Sequence, residues 1–280
     1  MDATLPGPVT LRTDTAVAVV LPAAGGRIGS LRVDGLETLV TEGLGPLSWG
    51  AYPMVPWAGR LRDGILRWCG DERRFPTHLA PPHAIHGTLI ERAWRVGGAT
   101  ARAMMLSADL DDPWPYGGSV TQRIRLEPDR LVAELEIRAA TDPFPAIVGW
   151  HPWFARILRD ADGTPRGGPV RVDLPAGAML RRGGDGLPDG TVVRPIPPGP
   201  WDDCFTELTR PPAVVWPGAL RIEVDSAARY AVVYTEQEPG VCVEPQTGPP
   251  NGLNTGECAV VEPGRPLVAT MTLRWRRPVS

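Results

Sequence analysis

The sequence predicts an all-β protein, a large antiparallel β-sandwich, on three observations. Side chains alternate with period 2 along several stretches, which marks strands with one buried face. The 280 residues include 32 glycines and 33 prolines spread along the chain, so turn signals recur roughly every 8–12 residues, as in sandwiches and barrels. No stretch carries a three-turn helical stripe, and prolines interrupt too often for long helices.

The elements follow in order. "TAVAVVL" (15–21) is apolar and β-branched, and "RAWRVGG" and "RAMMLSADL" supply two strands between 92 and 110. "SVTQRIRLEPDR" alternates up to a turn at Glu127-Pro128-Asp129-Arg130. "RLVAELEIRAA" then sends Leu131, Ala133, Leu135 and Ile137 to one face and Glu134, Glu136 and Arg138 to the other. The two together predict a hairpin. "ALRIEVD" (219–225), "YAVVYTE" (230–236) and "ATMTLRW" (269–275) add three more strands. "RDADGTPRGGP" (159–169) and "RRGGDGLPDGTVVRPIPPGP" (181–200) read as long surface loops. Strands continue on both sides of each, so residues 1–280 read as a single domain.

Composition excludes several functions. A net charge of −3 without a basic block argues against nucleic-acid binding. All 29 basic residues are arginine, which removes a Schiff-base lysine and a Walker lysine. The four cysteines form no CxxC pair. "MDATLPGPVTLRTD" is too polar and proline-rich for a signal peptide, and no apolar run approaches the ~20 residues of a membrane span. The expectation is a soluble cytoplasmic protein with free thiols and no membrane association.

Acid–base chemistry near neutral pH would draw on four histidines, His78, His83, His86 and His151. His86 precedes Gly87, which permits a tight backbone or a close approach. His151 lies in "GWHPWF" (149–154), between two tryptophans. Either histidine alone would pass for a hydrogen-bonded structural residue. Glu244 ends an apolar strand in "GVCVEPQTGPPNG" (240–252), where partial desolvation would raise its pKa toward that of a general base. "PWAGRLRDG" (56–64) presents Arg60 and Arg62, and "WDDCFTEL" (201–208) presents Asp202 and Asp203. Trp57, Trp150, Trp153 and Trp201 lie close to these polar groups in sequence. Aromatic rings beside hydrogen-bonding groups suit the faces and edges of a sugar.

Taken in order, "PWAGRLRDG", "HAIHG", "GWHPWF", "WDDCFTEL" and "VCVEPQTGPPNG" resemble the aldose 1-epimerase (galactose mutarotase) family. The resemblance implies a galactose mutarotase-like β-sandwich that binds a monosaccharide on its concave face; the expected assembly is a monomer or homodimer. It implies Glu244 as the base on the C1 hydroxyl and His151 as the acid on the ring oxygen. It implies His86 as the second histidine near that oxygen. Arg60 and Asp202, with Asp203 as neighbour, would hold sugar hydroxyls, and Gln246 and Trp153 would line the pocket. Gly59 departs from the pattern, because many members carry Asn before the arginine.

Anomer exchange needs one proton taken from O1, one given to O5, and rotation about C1–C2 before reclosure. One acid and one base suffice, so no cofactor and no metal is expected. Three other readings use the same residues. His86, His151 and Glu244 have the residue types of a metal triad. The pocket could bind sugar without turnover. Arg62, Arg67, Arg73 and Arg74 could serve a hexose-6-phosphate.

Overall fold

Two antiparallel sheets account for most of the chain in the computed structural model, which describes residues 5–277. The first four residues of the N-terminal stretch discussed above lie outside them. The larger sheet has twelve strands. Its main path runs Val9–Arg12, Ala16–Leu21, Arg27–Val33, Leu36–Leu39, Gly149–Arg159, Gly240–Gln246, Tyr230–Tyr234, Asp202–Leu208, Ala176–Arg182 and Pro188–Val193. Ala51–Met54 pairs with both Gly149–Arg159 and Arg27–Val33. The second sheet has eight strands, with the predicted hairpin Ser119–Glu127 and Arg130–Arg138 near its middle.

The hairpin register runs from Ser119 opposite Arg138 to Glu127 opposite Arg130, so Pro128 and Asp129 are the turn. Leu131, Ala133, Leu135 and Ile137 are fully buried, as the alternation requires. One hydrophobic cluster joins side chains from both sheets. Within it Trp150 donates its indole N–H to Gln122 Oε1 of the second sheet at 3.1 Å. Gln122 in turn donates to the Gly26 carbonyl at 2.8 Å. A buried amide placed this way has partners at both ends, which offsets its desolvation.

The two long loops are less irregular than the sequence suggests. Residues 181–200 contain the strand Pro188–Val193, which pairs with Ala176–Arg182. Residues 159–169 contain Pro165–Arg166, paired with the end of Gly149–Arg159. Asp189, Gly190 and Thr191 look like turn residues, but an edge strand tolerates them. Among the described residues, no helix is long and apolar enough to cross a membrane, and the four cysteines are free.

Candidate active site

Period 2 decides which side chains reach the site. Trp150 points into the space between the sheets, so His151 and Trp153 of the same strand fall on sides set by that alternation. His151 and Trp153 meet the pocket. On the neighbouring strand Cys242, Glu244 and Gln246 share one face; Glu244 and Gln246 line the cavity, while Cys242 packs with Val241 and Val243 in the core. The whole Gly240–Gln246 strand is buried, so Glu244 is enclosed rather than half desolvated.

His86 reaches the same place from a separate excursion. Arg60–Leu61 pairs with Ala84–Ile85, placing Arg60 opposite Ile85. His86 N–H donates to the Gly59 carbonyl at 3.1 Å, and Gly59 N–H donates to His86 Nδ1 at 3.2 Å. Nδ1 is thereby the acceptor, so the neutral ring carries its proton on Nε2. Gly59 adopts φ +72°, a left-handed conformation that glycine and asparagine tolerate best, and a Cβ there would lie 3.0 Å from Pro250. Gly87 adopts φ +82°, and a Cβ there would lie 1.8 Å from the Val55 carbonyl oxygen. Gly87→Ala is therefore expected to destabilise the protein by more than about 2 kcal/mol, since it adds a backbone clash to left-handed strain. Urea unfolding of the two proteins measures this.

One cavity of about 450 Å³ collects all eight sequence-predicted site residues: Arg60, His86, His151, Trp153, Asp202, Asp203, Glu244 and Gln246. At its floor His151 Nε2 lies 3.2 Å from Glu244 Oε1. Gln246 Nε2 donates to the other carboxylate oxygen at 3.3 Å. The imidazole is sandwiched between Tyr52 (ring centroids 4.8 Å, 26° between planes) and Trp153 (5.5 Å, 14°). His86 approaches it edge-on at 5.1 Å.

Burial dominates the proton affinities here. It holds His151 down, to about 3, with Arg27 and Arg60 adding to the effect. It holds His86 well below its ordinary value, aided by His151 and Arg60. It pushes Glu244 well above the ordinary carboxylate range, with Asp202 contributing in the same direction. Burial thus favours the neutral His–Glu pair, whereas attraction across 3.2 Å favours the ion pair.

Toward the mouth, Asp202 Oδ2 accepts from Arg60 Nη2 (3.4 Å) and Arg182 Nη1 (2.9 Å). Arg182 also donates to Glu236 at 2.5 Å. Arg182, Glu236 and Tyr234 line the cavity and are absent from the sequence-derived set. Tyr234 could have been found, since alternation in "YAVVY" places it on the face of Val232. Arg182 sits in what read as a loop, and nothing local marks it.

Some sequence candidates lie elsewhere. Trp57 and Trp150 are buried in the core. Trp201 donates to the Pro197 carbonyl and does not line the cavity. Arg67, Arg73 and Arg74 lie on the hairpin Ile65–Trp68/Asp71–Arg74, paired with Glu72 or Asp71, away from the cavity. Arg62 pairs with Asp185. The compact donor set differs from the triad of the alternative metal reading. It is His151, Cys242 and Glu244, with donor atoms within 4.8 Å of one another. Burial raises the Cys242 thiol far above its ordinary range, which disfavours the thiolate that a metal would need.

The aldose 1-epimerase family model matches residues 8–274. The chain belongs to the aldose 1-epimerase family. Another sequence relative of this epimerase-family chain is the uncharacterized protein YihR of Escherichia coli K12, 26% identical over 243 residues, covering 79% of this chain and 77% of YihR. Three solved structures share the fold. An E. coli K12 protein superposes with a TM-score of 0.83 at 19% identity, covering 97% of this chain and 99% of its own. The galactose mutarotase-like protein of Clostridium acetobutylicum gives 0.81 at 16%, covering 97% and 95%. The Slr1438 protein of Synechocystis sp. PCC 6803 gives 0.79 at 21%, covering 99% of each chain.

Proposed function

We propose that this family member is a cofactor-independent aldose 1-epimerase acting on a neutral free monosaccharide, with Glu244 as base and His151 as acid. The observation that carries the reading is the buried contact of His151 Nε2 with Glu244 Oε1. O1 and O5 are both bonded to C1, so an acid and a base this close together can each reach one of the two oxygens. In the ion-pair form Glu244 accepts the O1 proton while His151 gives its Nε2 proton to O5. The C1–O5 bond breaks, and the pair is left as carboxylic acid and neutral imidazole. That product form is the one burial favours, so desolvation drives opening while charge attraction favours the starting form. The opposed effects keep both proton positions accessible. After rotation about C1–C2, Glu244 returns a proton to O1 and His151 recovers one from O5.

His86, donating through Nε2, is placed to hydrogen-bond the ring oxygen as it gains charge. Arg60, Arg182 and Asp202 form an alternating donor–acceptor fork suited to neighbouring hydroxyls. Both arginines are already matched by Asp202, and Arg182 also by Glu236. Among the described residues this leaves neither cavity arginine free for a phosphate and favours a neutral sugar.

Polarimetry of freshly dissolved α-D-glucose and α-D-galactose tests the reading. Catalytic amounts of protein are expected to speed equilibration of at least one free aldose and to leave glucose-6-phosphate at its buffer rate. Sugar binding without acceleration of any free aldose would make the protein a binding module.

A further inference from the structure

Residues 40–50 run without a strand between Leu36–Leu39 and Ala51–Met54, yet they supply Leu47 and Ser48 to the cavity wall. Side chains do much of the work of fixing this segment. Arg27 is 1% exposed and spends its guanidinium on backbone carbonyls: Nε on Ala24 (2.9 Å), Nη1 on Trp49 (3.0 Å) and Nη2 on Pro46 (2.9 Å). The Leu47 carbonyl accepts from Tyr52 Oη (3.0 Å) and from Trp153 Nε1 (2.7 Å). Tyr52 and Trp153 are the two plates that enclose His151. The guanidinium lies 4.1 Å from the centroid of Trp49 and 5.1 Å from that of Tyr52. A single set of contacts therefore holds both the cavity wall and the imidazole.

We propose that Arg27 is a positioning residue for the proton-transfer pair, locking the 40–50 segment and the Tyr52–His151–Trp153 stack as one unit and setting a buried positive charge behind His151. The role in turnover rests on the epimerase reading; the role in holding His151 does not. Among the described residues no carboxylate forms an ion pair with Arg27; its direct partners are the three backbone carbonyls, and Glu91 acts on it from beyond contact. Arginine fits three carbonyls in a plane as no other side chain does. The groups that face His151 are Glu244 and Cys242 on the adjacent strand, Tyr52 on Ala51–Met54, His86, and the two cations Arg27 and Arg60. Of these, Arg27 and Tyr52 also tie down the wall, and Arg27 is the one of the two that carries a charge.

The test compares Arg27→Met, Arg27→Lys and Tyr52→Phe with the wild type by 15N NMR of the histidine side chains across pH, with kcat and KM measured alongside. The methionine variant is expected to shift the His151 titration upward by at least one pH unit, to raise KM at least fivefold and to lower kcat at least tenfold. The lysine variant keeps the charge but loses the fork, so its titration should stay within half a unit while KM still rises. Tyr52→Phe keeps the stacked ring but removes one of the two donors to the Leu47 carbonyl, so KM should rise at least threefold. A folded methionine variant with an unmoved His151 titration and unchanged KM would overturn the proposal. If that variant does not fold, wild-type KM in both others would overturn it equally. If the wild type turns over no aldose, the epimerase reading fails, and the His151 titration together with sugar-binding affinity still decides the role of Arg27.

Discussion

Glu244→Gln is expected to lower kcat for anomer exchange by about 10³-fold while KM changes only a few-fold. Glutamine matches the carboxyl in shape but cannot take a proton from O1, and a positioned base contributes about 10²–10⁴-fold. The loss should fall near the middle of that range or above it, because the change also removes the partner across 3.2 Å that lets His151 exchange its proton. KM should be spared because Arg60, Arg182 and Asp202 make their contacts independently of the Glu244 carboxyl. Stability should hold or rise. Glu244 is 2% exposed, and its charged form is penalised by burial, so a neutral amide relieves a cost retained for function. Polarimetry corrected for the buffer rate, with thermal unfolding beside it, measures both effects. A variant that keeps a tenth of wild-type kcat would remove Glu244 from the role of base.

The sequence reveals most where local pattern and tertiary demand agree. The 119–138 hairpin is legible because its inward residues alternate without exception and its turn is two residues long. Pro188–Val193 is not, because Asp-Gly-Thr at an edge strand is chemically indistinguishable from a loop until Ala176–Arg182 is seen beside it. The site divides the same way. Glu244, His151, His86, Arg60 and Asp202 stand in distinctive local strings, and the fold brings those strings to one cavity. Arg182 and Arg27 stand in none. Arg182 matters through Asp202, 20 residues on, and Glu236, 54 residues on. Arg27 matters through carbonyls at positions 46 and 49. Backbone carbonyls carry no residue identity, so no composition or spacing rule announces such a contact. Tryptophan misleads for a related reason: a ring packed in a core and a ring facing a sugar look alike in sequence. Trp150 and Trp153 take opposite fates three residues apart.

His151 should make the fold sensitive to acid in a way that His151→Asn abolishes. The imidazole is buried and its folded-state pKa is held down to about 3, from an ordinary value of 6.5. An unfolded chain therefore binds a proton at this site across the interval in which the folded protein does not. Stability must then fall as pH drops from 6.5 toward 3, by about 1.4 kcal/mol per pH unit once below 6.5. Between pH 7.5 and 4.5 the wild type should lose about 2–3 kcal/mol more than the asparagine variant, as read from urea midpoints at each pH. Glu244 runs the other way. Its folded pKa is raised, so its contribution is present at low pH and lost as pH rises through that folded value. Both proteins keep Glu244 and His86, so the difference between their curves reports the His151 imidazole together with its coupling to those two neighbours. The same depression shapes catalysis: kcat/KM should stay level through the ordinary histidine range near 6.5 and fall on the acid side only where the pair takes up a second proton. An acid limb centred near 6.5, or equal pH slopes for wild type and variant, would mean that His151 is solvated in the working protein and that the closed Tyr52–His151–Trp153 stack is not its resting form.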